Sequence, residues 1–156
     1  MKKKLPVLSL LLVLGGSALL PAGEIKSTQW PHKGSDIAVD PAVRFGALEN
    51  GMRYAIRKNA EPPGRVSLRL HIAAGSLHEE DDQRGVAHFL EHMVFNGSRN
   101  FPDVENLLGR MQRLGIAFGA HANAYTSFDE TVYMLDLPNL EKDTLKLGFE
   151  VMRDFG

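Results

Sequence analysis

The sequence has no cysteine. That excludes disulfides and a lipid-modified cysteine anchor, so an exported form of this chain is held together by its core or by a metal. It has little net charge, a formal −1 over 156 residues, and hence no electrostatic reason to bind nucleic acid or an acidic surface. It has no internal repeat and no low-complexity stretch. It also lacks a full membrane span: the apolar stretch Leu5 to Leu20 covers 16 residues with two adjacent glycines, against the roughly 20 that a spanning helix needs. What remains is 44% hydrophobic and 24% charged, the balance of an ordinary globular domain.

The chain opens with Met1-Lys2-Lys3-Lys4, followed by the apolar run, then Gly15, Gly16, Ser17 and Ala18, then Pro21-Ala22-Gly23. Basic, apolar and small-residue regions in that order read as a secretory signal peptide over residues 1–23, with inner-membrane anchoring as the alternative. The lysine-rich start reads as bacterial, so the expected destination is the periplasm, with contact to a membrane only through the export signal. Residues 24–42 form an amino-terminal arm with Trp30 as its one large anchor. Residues 43–156 are enough for one domain.

Within that domain, Asn50-Gly51 reads as a two-residue hairpin turn. Val66, Leu68, Leu70 and Ile72 alternate with Ser67, Arg69 and His71, the pattern of a half-buried strand. A polar loop with Glu79, Glu80, Asp81 and Asp82 leads to a helix expected over Val86 to Phe95 and ended by Asn96-Gly97. Asp103 to Leu114 predicts a second helix, with Val104, Leu107, Leu108, Met111 and Leu114 on one face. Strands are expected over Ala117 to Tyr125 and Glu130 to Leu137. A closing helix is expected over Leu140 to Phe155 with Leu145, Phe149, Met152 and Phe155 as its apolar stripe. Three strands, two helices, two strands and a helix imply an α+β fold with helices packed on a largely antiparallel sheet.

The chemistry lies in His88-Phe89-Leu90-Glu91-His92. Residues four apart share a helix face, so His88 and His92 can hold one metal ion, and two imidazoles suit zinc. Zinc lowers the pKa of bound water toward about 7. Glu91, three residues after His88, is then placed as the general base that takes the water's proton and returns it to the leaving amine. The order H-x-x-E-H is the inverted form of the commoner H-E-x-x-H helix. Phe89, Leu90, Val94 and Phe95 make the segment apolar and are expected to keep the imidazoles from simple solvation. Taken alone, such a pentapeptide also occurs by chance on exposed helices.

The surroundings supply context. Gly85-Val86-Ala87-His88-Phe89-Leu90-Glu91-His92-Met93-Val94-Phe95-Asn96-Gly97-Ser98 resembles the active-site helix of the insulinase/pitrilysin (M16) zinc peptidases. Leu48-Glu49-Asn50-Gly51-Met52-Arg53 resembles their first hairpin. Ala74-Gly75-Ser76-Leu77-His78-Glu79 resembles the segment before the helix, and Asn123 to Tyr133 the downstream strand pair. The resemblance spans roughly residues 43 to 155 in the family's order, which is far more specific than one motif. It implies an M16-like domain, incomplete in this chain, with His88 and His92 as Zn2+ ligands and Glu91 as catalytic base. It further implies that the strand around Asn123 and Ala124 offers its edge to an extended peptide substrate. The implied activity is endopeptidase cleavage of oligopeptides or unfolded segments.

One part of the family's pattern is not met. The resemblance implies a third ligand, a glutamate roughly 75 residues after the second histidine, whereas 64 residues follow His92. The ligand is therefore expected beyond Gly156, on a missing carboxy-terminal half of the same protein or on a partner subunit. Glu130, Glu141 and Glu150 are poor substitutes, and His71, His78 and His121 read as structural or solvated histidines. The isolated chain is expected to be weakly active or inactive. Two other readings stand beside the peptidase: a non-catalytic binding or scaffold fragment of an M16-type assembly, and a metal store or sensor that gives Glu91 no role.

Overall fold

A computed structural model describes residues 30–156. The expected signal peptide and residues 24–29 of the arm lie outside the described residues. The chain divides into two units, residues 1–58 and residues 59–156.

In the first unit, β1 (Val43–Ala47) and β2 (Arg53–Arg57) pair antiparallel, with Phe45 opposite Ala55. The connection is not the two-residue turn expected at Asn50-Gly51. Leu48 N–H donates to the Met52 carbonyl at 2.8 Å and Gly51 N–H to the Leu48 carbonyl at 2.9 Å, which leaves a three-residue loop. Gly51 takes the left-handed conformation, φ 88°, as the third residue of such loops does. Asn50 acts through its side chain, whose Oδ1 accepts Met52 N–H at 3.1 Å. Trp30 anchors the arm as expected. Its indole N–H donates to the Gly46 carbonyl at 3.0 Å, its ring meets Phe45 edge-on at 4.9 Å, and the Arg53 guanidinium sits 5.1 Å above it.

The second unit runs β3 (Val66–Ile72), α1 (Val86–Met93), α2 (Val104–Arg113), β4 (Ala122–Thr126), β5 (Thr131–Leu137) and α3 (Lys142–Phe155). The three strands form an antiparallel sheet in the order β3-β5-β4. The element order and the α+β class are those expected. β5 lies in the middle and buries Thr131, Val132, Tyr133, Leu135 and Leu137. β3 alternates as read: Val66, Leu68, Leu70 and Ile72 face the core, while Ser67, Arg69 and His71 face out. On the outer face Asp136 accepts from Ser67 Oγ at 2.7 Å and from Arg69 at 2.9 Å.

The core is built from Phe101, Leu107, Met111, Ile116, Leu135, Leu137, Leu147 and Val151, each aliphatic or aromatic side chain contributing about 1.5–3 kcal/mol by leaving water. Asp103 caps α2 by accepting Asn106 N–H at 2.6 Å, worth about 1 kcal/mol. Leu107 and Met111 of the predicted stripe are buried, with Val104 at its exposed margin.

Two elements differ from expectation. β4 begins at Ala122 rather than Ala117. Gly119 has φ 82°, and His121 N–H bonds back to the Ala117 carbonyl at 2.8 Å, so residues 117–121 turn before the strand starts. α3 buries Phe155 of the expected stripe, but otherwise Thr144, Leu147, Gly148 and Val151 in place of Leu145 and Phe149, and Phe149 is 60% exposed. The helix lies close to the sheet: a side chain at Gly148 would stand 2.9 Å from a Leu137 methyl. A glycine therefore sits at the closest approach, and Leu145 and Met152 pack at the margins of the contact face.

Candidate active site

The site is carried by α1. Its N-cap residue is Gly85, in the left-handed conformation with φ 89° and with no side chain to cap the helix. Glu79 caps it from the preceding loop: its two carboxylate oxygens accept Gly85 N–H at 2.6 Å and Ala87 N–H at 2.8 Å. The Ala87 and Gly85 N–H bonds hold the Glu79 carboxyl below the ordinary carboxylate range, against a smaller opposing effect of burial. The start of that loop is docked on the turn between β4 and β5, where Ser76 N–H donates to the Ser127 carbonyl at 3.1 Å and Leu77 N–H to the Phe128 carbonyl at 2.8 Å.

Helical spacing then sorts the motif. Glu91 turns inward and is 7% exposed, with Val94 and Phe95 packed against the core beyond it. His88 and His92 lie on the neighbouring exposed face. Their Nε2 atoms stand 3.0 Å apart, with ring centroids at 4.8 Å. The expected apolar enclosure of the imidazoles is not formed by their own helix: Phe89 is 64% and Leu90 58% exposed. The one buried position of so short a helix falls to Glu91.

The spacing of the two imidazoles suits zinc. Two zinc–nitrogen bonds of about 2.0–2.1 Å at a tetrahedral angle bring the two nitrogens to roughly 3.3–3.4 Å. The 3.0 Å separation found is within a small ring rotation of that, so the pair fits a shared ion. Among the described residues no cluster of three or more His, Cys, Asp or Glu side chains could hold one. The histidines that sequence reading set aside are engaged elsewhere. His71 Nε2 lies 3.0 Å from Glu130 Oε2, His78 Nδ1 accepts Gly75 N–H at 3.2 Å, and His121 Nδ1 accepts Ala117 N–H at 3.0 Å. Glu150 is drawn to Arg110 at 3.5 Å and Lys146 at 3.8 Å.

β4 lies against α1. Its buried-side residue Thr126 donates from Oγ1 to Glu91 Oε2 at 2.9 Å. This contact and the Glu79 cap were missed in the sequence; a glycine at an N-cap preceded by acidic residues is a usable sign of the second. β4 is also an edge strand among the described residues. Ser127 N–H bonds to the Glu130 carbonyl at 2.8 Å, and antiparallel alternation from there turns the backbone of Tyr125 and Asn123 toward β5 and that of Ala124 and Thr126 outward. The outward Ala124 N–H is covered by the side chain of its neighbour, with Asn123 Oδ1 at 2.9 Å. A cleft of about 400 Å3 runs past His88, Glu79, Thr126 and Phe128.

An antiparallel sheet thus carries a short helix with two converging imidazoles and a buried glutamate, and comparison with known proteins gives the family. The chain belongs to the insulinase family, peptidase family M16, whose profile matches residues 54–155. It is 42% identical over 121 residues to the probable zinc protease PqqL of Haemophilus influenzae, covering 78% of this chain and 13% of that protein. To the probable zinc protease PqqL of Escherichia coli it is 42% identical over 139 residues, covering 89% of this chain and 14% of that protein. The fold superposes on the crystal structure of the periplasmic protease PqqL from Escherichia coli with a TM-score of 0.73 at 41% identity, covering 76% of this chain and 13% of that one. The chain thus spans about one seventh of the length of these relatives. Among the described residues no helix is long and apolar enough to cross a membrane.

Proposed function

We propose that this chain contributes the zinc-binding helix and the proton-transfer base of a metalloendopeptidase that cleaves oligopeptides or unfolded segments in the periplasm. The observation that carries the reading is the approach of His88 Nε2 and His92 Nε2 to 3.0 Å beside the buried carboxylate of Glu91. Membership of a peptidase family, and relatives called zinc proteases, support it.

His88 and His92 would hold the ion, with a third protein ligand from outside the described residues completing the three that catalytic zinc sites use. Zinc supplies Lewis acidity when bound, acidifying water and polarising a carbonyl. Glu91 takes the proton of the attacking water and delivers it to the leaving amine. The outward backbone of Ala124 and Thr126 pairs with an extended peptide, once Asn123 releases the Ala124 N–H it covers. Main-chain pairing of this kind favours unfolded substrates over folded ones, because only they present a free strand.

The test uses the whole protein isolated from its own cell. Glu91→Gln is expected to abolish peptide cleavage while zinc stays bound, and His88→Ala or His92→Ala to lose both. A wild-type protein that binds zinc and cleaves no peptide would favour the binding or scaffold reading.

A further inference from the structure

We infer that Thr126 is a positioning residue for Glu91: its hydroxyl, delivered by β4, holds one carboxylate oxygen and leaves the other as the proton acceptor. The inference rests on the reading of Glu91 as the general base.

The direction of the hydrogen bond follows from counting protons. An ionised carboxylate only accepts, and a threonine hydroxyl has one proton to give. Thr131, opposite Thr126 in the β4–β5 pair, has its hydroxyl 3.5 Å from that of Thr126 and donates to the Ala74 carbonyl at 2.9 Å. Its proton is therefore spent, and the Thr126 proton goes to Glu91 Oε2 at 2.9 Å. Among the described residues Glu91 Oε1 accepts no hydrogen bond, yet it is not among the polar atoms sealed from solvent without a partner. One oxygen is anchored and the other is left without a hydrogen-bond donor among the described residues.

The anchor is stiff. A β-branched side chain has few χ1 choices, and the Thr126 backbone is held between Tyr125 and Ser127, whose own backbones face the partner strand. A glutamate has three torsions, and without the anchor its carboxylate would sample several of them. The same strand presents the outward backbone of Ala124. A peptide paired there and the base that serves it would thus be held by one rigid element, the condition under which a small displacement is avoided where it costs most.

The experiment compares wild type, Thr126→Val and Thr126→Ser in the whole protein, with zinc content, Tm, kcat and KM measured on a quenched fluorescent peptide. In parallel, each zinc-stripped protein is crystallised to locate the Glu91 carboxylate. Thr126→Val keeps the shape and removes the donor. It is expected to lower kcat about 10- to 100-fold at unchanged KM, zinc content and Tm. Thr126→Ser is expected to restore most of the loss. In the stripped valine variant Glu91 should leave its place or occupy more than one rotamer. Wild-type kcat in Thr126→Val, an unmoved Glu91, or a loss that follows zinc content or Tm would overturn the inference. If zinc-loaded wild type cleaves nothing, the peptidase reading fails, and the Glu91 position in the stripped variants still decides whether Thr126 holds it.

Discussion

Glu79 accepts the backbone N–H of Ala87 at 2.8 Å, one residue before His88, and its other oxygen takes Gly85 N–H at 2.6 Å. The helix that presents the histidines therefore starts on a borrowed carboxylate, since Gly85 has no side chain to offer. Negative charge at that end also meets the positive pole of the helix. Glu79→Gln keeps one acceptor oxygen and turns an NH2 toward the second N–H. It is expected to weaken zinc binding by the whole protein roughly 10-fold, the low end for residues that orient ligands. Hydrogen exchange at Gly85 and Ala87 should quicken. Chelator competition and amide exchange check the two effects, and unchanged values in both would remove Glu79 from the site.

Gly75 is buried, and a Cβ there would strike the carbonyls of Ser127 and Phe128. Neither obstacle is a side-chain tip that can swing aside. The same two carbonyls accept Ser76 N–H and Leu77 N–H, so the bonds that dock the loop are the ones displaced. Gly75→Ala is expected to cost about 1–3 kcal/mol, the range for overpacking a tight contact. Urea denaturation would show it as a lower midpoint at unchanged slope, and a wild-type midpoint would mean that the loop gives way freely.

Asp154 ties the end of α3 to the loop after α1. Its carboxylate accepts from Ser98 Oγ at 2.8 Å, Asn100 N–H at 2.8 Å and Asn100 Nδ2 at 2.6 Å. Burial pushes its pKa up, but the bonds from Asn100 and Ser98, with Arg153 nearby, outweigh it and hold the carboxyl below its ordinary range. A group with a lowered folded pKa adds its full stability above the unfolded value and loses it as the pH falls through the folded value. Stability should therefore drop on acidification below about pH 4. Asp154→Asn should be less stable by about 1–3 kcal/mol at neutral pH and show a shallower acid decline. Thermal unfolding of both proteins across that pH range checks the sign, and parallel curves would assign the decline to other carboxylates.

What the sequence made legible was local. His88, Glu91 and His92 lie within one turn or so, and helical geometry alone brings the two imidazoles together. The Asp103 cap and the alternation of Val66 to Ile72 are read over a few residues in the same way. What it hid was set by packing between distant segments. Thr126 meets Glu91 across 35 residues, and Asp154 meets Ser98 across 56; no periodicity announces either. The apolar neighbours of the histidines misled for a related reason. Phe89 and Leu90 are themselves exposed, so their hydrophobicity encloses neither themselves nor the imidazoles.

α3 gives the sharpest case, because its two candidate faces carry opposite expectations. Hydrophobicity points to Phe149, which is 60% exposed, whereas the contact face runs through Thr144, Leu147, Gly148 and Val151. Close approach leaves no room for a side chain at Gly148, and one residue of that face is polar: the Thr144 hydroxyl is buried and has no hydrogen-bond partner among the described residues. Leu147→Ala should then cost about 2–5 kcal/mol through the cavity it leaves, while Phe149→Ser should change stability by about 0.5 kcal/mol or less. Thr144→Val has nearly the same shape and the same helix propensity, and it removes a hydroxyl that folding strips of water without return. It is expected to stabilise the protein by about 1 kcal/mol, a rise in Tm of roughly 4–8 °C for a unit of this size. A lower Tm in Thr144→Val would mean that the hydroxyl does find a partner, and a large loss in Phe149→Ser would mean that its outward face is covered in the working protein.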